Sequence, residues 1–289
     1  MKTPPILALI AATAVSTAMG GDYDPVASPV PTMDDMGASR RITPAQFHAL
    51  TVPADLWRVN IQTEYYTENY SYDEEDDFGR VHWFDADDYF EETTTLTVKR
   101  GITDFWDVGV EIPLVYSEFQ RASSDRSSSY PHSANEWGLG NVRLTTGIGT
   151  SWNHESDYLL LDLAIGLPTD TRDNDLFSTG GDARAILTYE HYWDVFGVVA
   201  SGYGEYYADN DFSGGEWEWG GQAGIAIQAT DDIYATVVAD VQEDKTAIEG
   251  FVEFVVGSRS SIEIFGGIDV DGDDDAKYVG IGFNILFGK

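Results

Sequence analysis

From Leu56 to the C-terminus, apolar and polar residues alternate with a period of two. That is the signature of a strand with one apolar and one polar face. Over 56–67, Trp57, Val59, Ile61 and Tyr65 share one face, and Arg58, Asn60, Gln62 and Glu64 the other. Over 106–117, Trp106, Val108, Val110, Ile112, Leu114 and Tyr116 oppose Asp107, Gly109, Glu111 and Ser117. Over 138–149, Val142, Leu144 and Ile148 oppose Asn141, Arg143 and Thr145. Over 157–167, five apolar residues from Leu159 to Leu167 oppose Asp162, Ala164 and Gly166. The same alternation sets Trp217, Trp219 and Ile225 against Glu216, Glu218 and Gln222, then Val237 and Val241 against Thr236 and Asp240, then Ile262, Ile264 and Ile268 against Ser261 and Glu263. With strands near 90–100, 182–193, 195–207, 248–257 and 277–287, the pattern predicts twelve.

A soluble β-sandwich also alternates. Three features favour a transmembrane antiparallel up-and-down β-barrel, an all-β fold. Each apolar stripe spans about 9–11 residues, the length a tilted strand needs to cross a bilayer. Aromatic residues such as Trp57, Tyr65, Trp106, Tyr116, Trp137, Trp193 and Trp217 stand at strand ends, as interfacial girdles do. Short connections (101–105, 150–156, 230–231, 257–260) alternate with long ones (68–89, 118–136, 168–181), which is the outer-membrane arrangement. The last strand puts Val279, Ile281, Phe283, Ile285 and Phe287 on one face, and it resembles the terminal signal read by the barrel-assembly machinery.

The N-terminus changes the picture of the address. Lys2 precedes the apolar run Ile6–Val15, which is too short for a helical span, and Ala18-Met19-Gly20 offers small residues for cleavage. Residues 1–20 therefore read as a signal peptide, with a retained anchor as the weaker alternative. Residues 21–54 carry Pro25, Pro29, Pro31, Pro44 and Pro53 and read as a periplasmic lead-in, with a short helix near 44–50. The barrel domain then runs over 55–289. The chain has no cysteine, so neither a lipoprotein anchor nor a disulfide is available. A net charge of -34 argues against nucleic acid as a partner and fits acidic loops in water. The expected partners are outer-membrane lipid and lipopolysaccharide, the assembly machinery, and a small solute.

One stretch carries a family likeness. Gly101-Ile102-Thr103-Asp104 is followed by Trp106-Asp107-Val108-Gly109-Val110-Glu111-Ile112-Pro113, then Gly138-Leu139-Gly140-Asn141-Val142-Arg143-Leu144, then Leu167-Pro168-Thr169 and Thr179-Gly180-Gly181-Asp182. This resembles the meta-pathway phenol-degradation outer-membrane transporters and related uncharacterised outer-membrane proteins. Asn141 stands where that family has Asp, and Asp170 where it has Gly. The resemblance covers about a third of the chain, over 95–189. It implies a transporter-like barrel. Its motifs are turn and strand-edge grammar and imply no substrate.

Candidate chemistry lies on the inward face. Arg58, Arg143 and Arg184 share it with Glu64, Glu111, Asp162, Glu190 and Asp240, and also with Glu205, Glu253 and Glu263. Two readings stand side by side: an acid-rich, cation-preferring channel for small solutes, or a lumen closed by its own ion pairs. In the second case the barrel is structural or adhesive, with cation-binding loops. Asp269, Asp271, Asp273 and Asp275 alternate carboxylates that calcium or another divalent cation can use, but the spacing is not that of an EF-hand, and a plain acidic turn is the favoured reading. His154-Glu155-Ser156 suggests an outer-membrane lipid-modifying enzyme, yet it lies in a short turn and lacks a third partner about a dozen residues on. No catalytic residue is assigned.

Overall fold

The computed structural model describes residues 51–75, 81–121, 133–152, 157–171, 181–193, 195–208, 216–230, 232–242, 246–257, 259–270 and 276–288. The expected signal peptide, the lead-in up to residue 50 with its expected helix, His154, Ser156, Asp271, Asp273 and Asp275 lie outside them.

The period-two segments form thirteen strands. They are β1 (Leu56–Glu75), β2 (Val81–Thr103), β3 (Trp106–Arg121), β4 (Ser133–Leu139), β5 (Val142–Trp152), β6 (Asp157–Leu167), β7 (Asp182–Trp193), β8 (Phe196–Tyr207), β9 (Glu216–Thr230), β10 (Ile233–Gln242), β11 (Thr246–Gly257), β12 (Ser260–Asp269) and β13 (Lys277–Gly288). Apart from β4 and β5, which both pair with β3, strands next to each other in the chain pair antiparallel, and β1 pairs with β13 to close the sheet. β4 and β5 are two halves of one barrel strand. β4 pairs with Leu114–Gln120 of β3, and β5 with Trp106–Glu111. The barrel therefore has twelve strands, as the alternation predicts. Closure gives every strand two neighbours and leaves no open edge, which is what a sheet in lipid requires.

The register keeps the two faces apart all the way round. Between β11 and β12, for example, Val252 meets Ile264 on one face and Glu253 meets Glu263 on the other. The outcome is a molecule turned inside out. Ile165 and Trp219 are about 60% exposed on the outer wall (61% and 60%), whereas Glu190 and Glu253 are each 1% exposed inside. Exposed Trp106, Trp152, Trp193, Phe196 and Phe287 ring the terminal end of the barrel, where β1 begins and β13 finishes. At the opposite end, Trp217 stacks on Trp219 at 5.4 Å and packs against Tyr206 at 4.9 Å, while Tyr116 meets Trp137 at 4.9 Å. These are the two aromatic girdles of a membrane barrel.

Two expected loops are corrected. Much of 68–89 is strand, since β1 and β2 pair out to Glu75 and Val81, and 118–121 and 133–136 extend β3 and β4. The acidic composition suggests a loop, but a ladder beyond the bilayer needs no apolar face. Tyrosines favour the extended backbone there, and Tyr66 and Tyr89 pack across it at 6.1 Å.

The break between β4 and β5 is repaired by a mixture of backbone and side-chain bonds. Gly140 N–H reaches the carbonyl of Pro113 at 3.0 Å, and Val142 N–H donates to Thr169 Oγ1 at 2.8 Å. Leu139 N–H donates to Thr171 Oγ1 at 2.9 Å, and Thr171 N–H returns a bond of the same length to the Leu139 carbonyl. The Leu167-Pro168-Thr169 motif thus stands in for missing ladder bonds, which in lipid would otherwise be costly.

Candidate functional site: the barrel lumen

The site is the inner wall, and the strand parity decides who faces it. All eight side chains expected in the lumen occupy inward register positions. Arg58 and Glu64 lie on β1, Glu111 on β3, Arg143 on β5, Asp162 on β6, Arg184 and Glu190 on β7, and Asp240 on β10. The inner wall falls into three layers; these eight stand in the second and third, Glu64 near Glu249 in the third.

The first layer is the mouth at the terminal end. Residues 51–54 run inward before β1 begins. Val52 is 1% exposed, and its N–H donates to Asp107 Oδ2 at 2.8 Å. Thr51 Oγ1 donates to the Asp104 carbonyl at 2.9 Å, and Ala54 N–H donates to Asp104 Oδ1 at 3.2 Å. Ala54 bridges Gly101 in parallel, and Asp55 then turns the chain with φ 64° into β1. Gly101 is required here, because a Cβ would lie 2.0 Å from the Pro53 carbonyl oxygen. The Gly-Ile-Thr-Asp and Trp-Asp motifs therefore fasten a strap across part of the mouth.

The middle layer holds ion pairs. Lys99 Nζ lies 2.8 Å from Asp162 Oδ2, and Arg184 Nη2 3.8 Å from Glu111 Oε2. Arg58 lies among Asp107, Asp162 and Glu253. Arg143 is held on two sides, Nε by Asp182 Oδ1 at 2.8 Å and Nη2 by Glu205 Oε1 at 2.9 Å. Asn141 Nδ2 also reaches Asp182, at 3.3 Å. Gly166 makes this possible, since a Cβ there would meet Asp182 Oδ2 at 2.1 Å. The pairs do not fill the lumen. A chamber of about 310 Å³ remains, lined by Leu160, Ile186, Val199, Val238 and Phe251 together with Glu111, Asp162, Arg184, Glu190 and Glu263.

The third layer, toward the long loops, holds a smaller chamber of about 190 Å³ bordered by Tyr66, Asp240, Glu249, Asp269 and Tyr278. Asp240 accepts from Tyr203 Oη at 2.9 Å and from Gln222 Nε2 at 3.2 Å, and the same amide reaches Glu249 at 3.2 Å. Asp269 is the one described member of the expected metal loop. Among the described residues, no group of three carboxylates or imidazoles is arranged to hold a metal ion.

The lumen is electrically lopsided. Its basic side chains Arg58, Lys99, Arg143 and Arg184 all stand on β1 to β7. The six strands from β8 to β13 contain one base, Lys277, and its register with Thr67 and Ile268 turns it outward. That wall carries Glu205, Glu218, Asp240, Glu249, Glu253 and Glu263. Sequence reading missed Lys99 and Asp182 as members of the ion-pair layer. Their inward parity is a usable signal, but their partners lie on strands far off in the chain.

On the outer wall, His191 Nδ1 lies 2.7 Å from Asp157 Oδ1, which also accepts from Tyr189 Oη at 2.6 Å. His191 packs edge-on to Trp193 at 4.2 Å, so this group belongs to the girdle near the terminal end.

No family model matches the chain, and no curated protein matches its sequence. Solved structures do. An outer-membrane channel from Pseudomonas putida F1 superposes with a TM-score of 0.66 at 13% identity, covering 86% of this chain and all (100%) of that one. The translocator domain of the autotransporter NalP from Neisseria meningitidis gives 0.48 at 11% identity, over 80% of this chain and 88% of that one. The Ralstonia pickettii toluene transporter TbuX gives 0.43 at 10% identity, over 91% and 98%. The first likeness establishes the fold, and the scores of the other two are too low to add to it. The chain is a closed twelve-strand β-barrel with the fold of an outer-membrane channel.

Proposed function

We propose that this barrel is a channel for small solutes, not an enzyme, and that its inward charges give it a preference for cations. The observation that carries the reading is the chamber of about 310 Å³ left between the ion pairs. A barrel whose task is purely structural has no need of such a space, since small barrels fill with side chains. Size supports the reading as well, for twelve strands lie between the filled eight-strand barrels and the open porins. The base-free wall of β8 to β13 supplies the sign of the selectivity. The superposable Pseudomonas putida F1 structure is itself described as an outer-membrane channel, which agrees with this reading.

Solute flux tests it. Liposomes carrying the folded barrel are expected to swell faster in small cationic or neutral solutes than in anions of equal size. Swelling no faster than in protein-free liposomes, with insertion verified, would contradict the reading.

A further inference from the structure

The central chamber has a lining of two chemistries. Leu160, Val199, Val238 and Phe251 present apolar surface, while Glu190 and Glu263, at 1% and 3% exposure, bring carboxylates to the same space. A third feature is independent of charge. Thr236 lines the chamber at 4% exposure, and its Oγ1 has no hydrogen-bond partner in the protein. A buried hydroxyl left without a partner costs free energy that a bound group can offset.

The charges around this layer set the sign of that group. Among the described residues, Asp107, Glu111, Asp162, Asp182, Glu190, Glu205, Glu253 and Glu263 share this layer with Arg58, Lys99, Arg143 and Arg184. Carboxylates outnumber bases two to one, and the wall from β8 to β13 offers no inward base to redress this. A preformed apolar cavity with a few converging polar groups is the usual form of a small-molecule site, and its volume lies at the small end of that range.

We propose that the chamber binds a small organic cation: one protonated amine carried on an apolar body. The ammonium is recognised by the carboxylates, with the Thr236 hydroxyl as a further acceptor, and the body packs against Val199, Val238 and Phe251. The inference deepens the channel reading by naming what the passage accepts.

Three probes with the same ring test it on the folded barrel in detergent micelles: benzylammonium, benzyl alcohol and benzoate, followed by calorimetric titration. Benzylammonium is expected to bind at one saturable site about tenfold more tightly than benzyl alcohol, and benzoate to bind more weakly still. Glu263→Gln is expected to lower amine affinity about tenfold and leave the alcohol unchanged. Val238→Phe keeps every charge but fills the chamber, and is expected to abolish binding of both. Should the first variant fail to fold, the second still decides. Equal or tighter binding of the alcohol or benzoate overturns the inference, as does amine binding that Val238→Phe leaves intact. A barrel that conducts ions but fails this binding test loses the inference and keeps the channel reading. A barrel that binds the amine in the chamber but passes no solute loses the channel reading instead.

Discussion

Single residues show how closely the inner and outer faces are specified. Gly166 leaves room for Asp182 to reach Arg143, and a methyl group at that position would overlap the carboxylate. Gly166→Ala is therefore expected to destabilise the barrel by about 1–3 kcal/mol, the usual cost of overpacking. Urea titration in lipid vesicles measures it, and an unchanged midpoint would mean that Asp182 has another rotamer to adopt. Glu92 is the converse case. It sits on the outward register of β2 between Tyr65 and Tyr116, is only 8% exposed, and its Oε1 has no partner. Charge on a lipid-facing wall is a burden that falls to about 0–1 kcal/mol near the interface. Glu92→Gln is expected to leave stability unchanged or raise it by up to about 1 kcal/mol on that scale. A clear loss in the same titration would show that the carboxylate has a role the present contacts do not explain.

Elements depend on repairs and straps that local periodicity does not contain. Thr169 supplies the acceptor for Val142 N–H where β4 gives way to β5. Thr169→Val removes it and is expected to cost about 1 kcal/mol, measured again by urea midpoint. The strap of residues 51–54 is fastened by Asp107, which takes the buried Val52 N–H, and by Asp104. Asp107→Ala is expected to free it and to enlarge the single-channel conductance, whereas an unchanged current would mean that the strap does not narrow the path. These features explain what was legible beforehand. The alternation of β1, β3, β5, β6 and β9 to β13 is local, so the faces of Arg58, Glu111, Asp162 and Asp240 could be read from the chain. The strap could not, because a proline-bounded segment carries no period and its acceptor lies 55 residues away. Nor could the extension of β1 and β2 to Glu75 and Val81, where composition points to a loop while backbone pairing decides otherwise. The motifs that suggested a transporter family proved to be structural here: Gly101, Asp104, Asp107, Asn141, Thr169 and Asp182 hold the strap, the broken strand and the Arg143 cluster.

At the scale of the whole molecule, the design is a polar interior inside an apolar shell, with closure satisfying the backbone in place of disulfides. The net charge of -34 is distributed unevenly, and the lumen inherits the imbalance as a wall without inward bases. Electrostatic preference of this kind weakens as salt screens it, so selectivity is expected to fall between 0.1 and 1 M salt, where the screening length shortens from about 10 to about 3 Å. The central claim is that the chamber belongs to a continuous, cation-preferring path. Single-channel recording of the folded barrel in a planar bilayer under a salt gradient tests it most directly. The expected result is discrete conductance steps with a reversal potential on the cation side, shifted toward zero by Glu190→Gln combined with Glu263→Gln. Protein shown to be folded and inserted that passes no current, or that prefers anions, would contradict it.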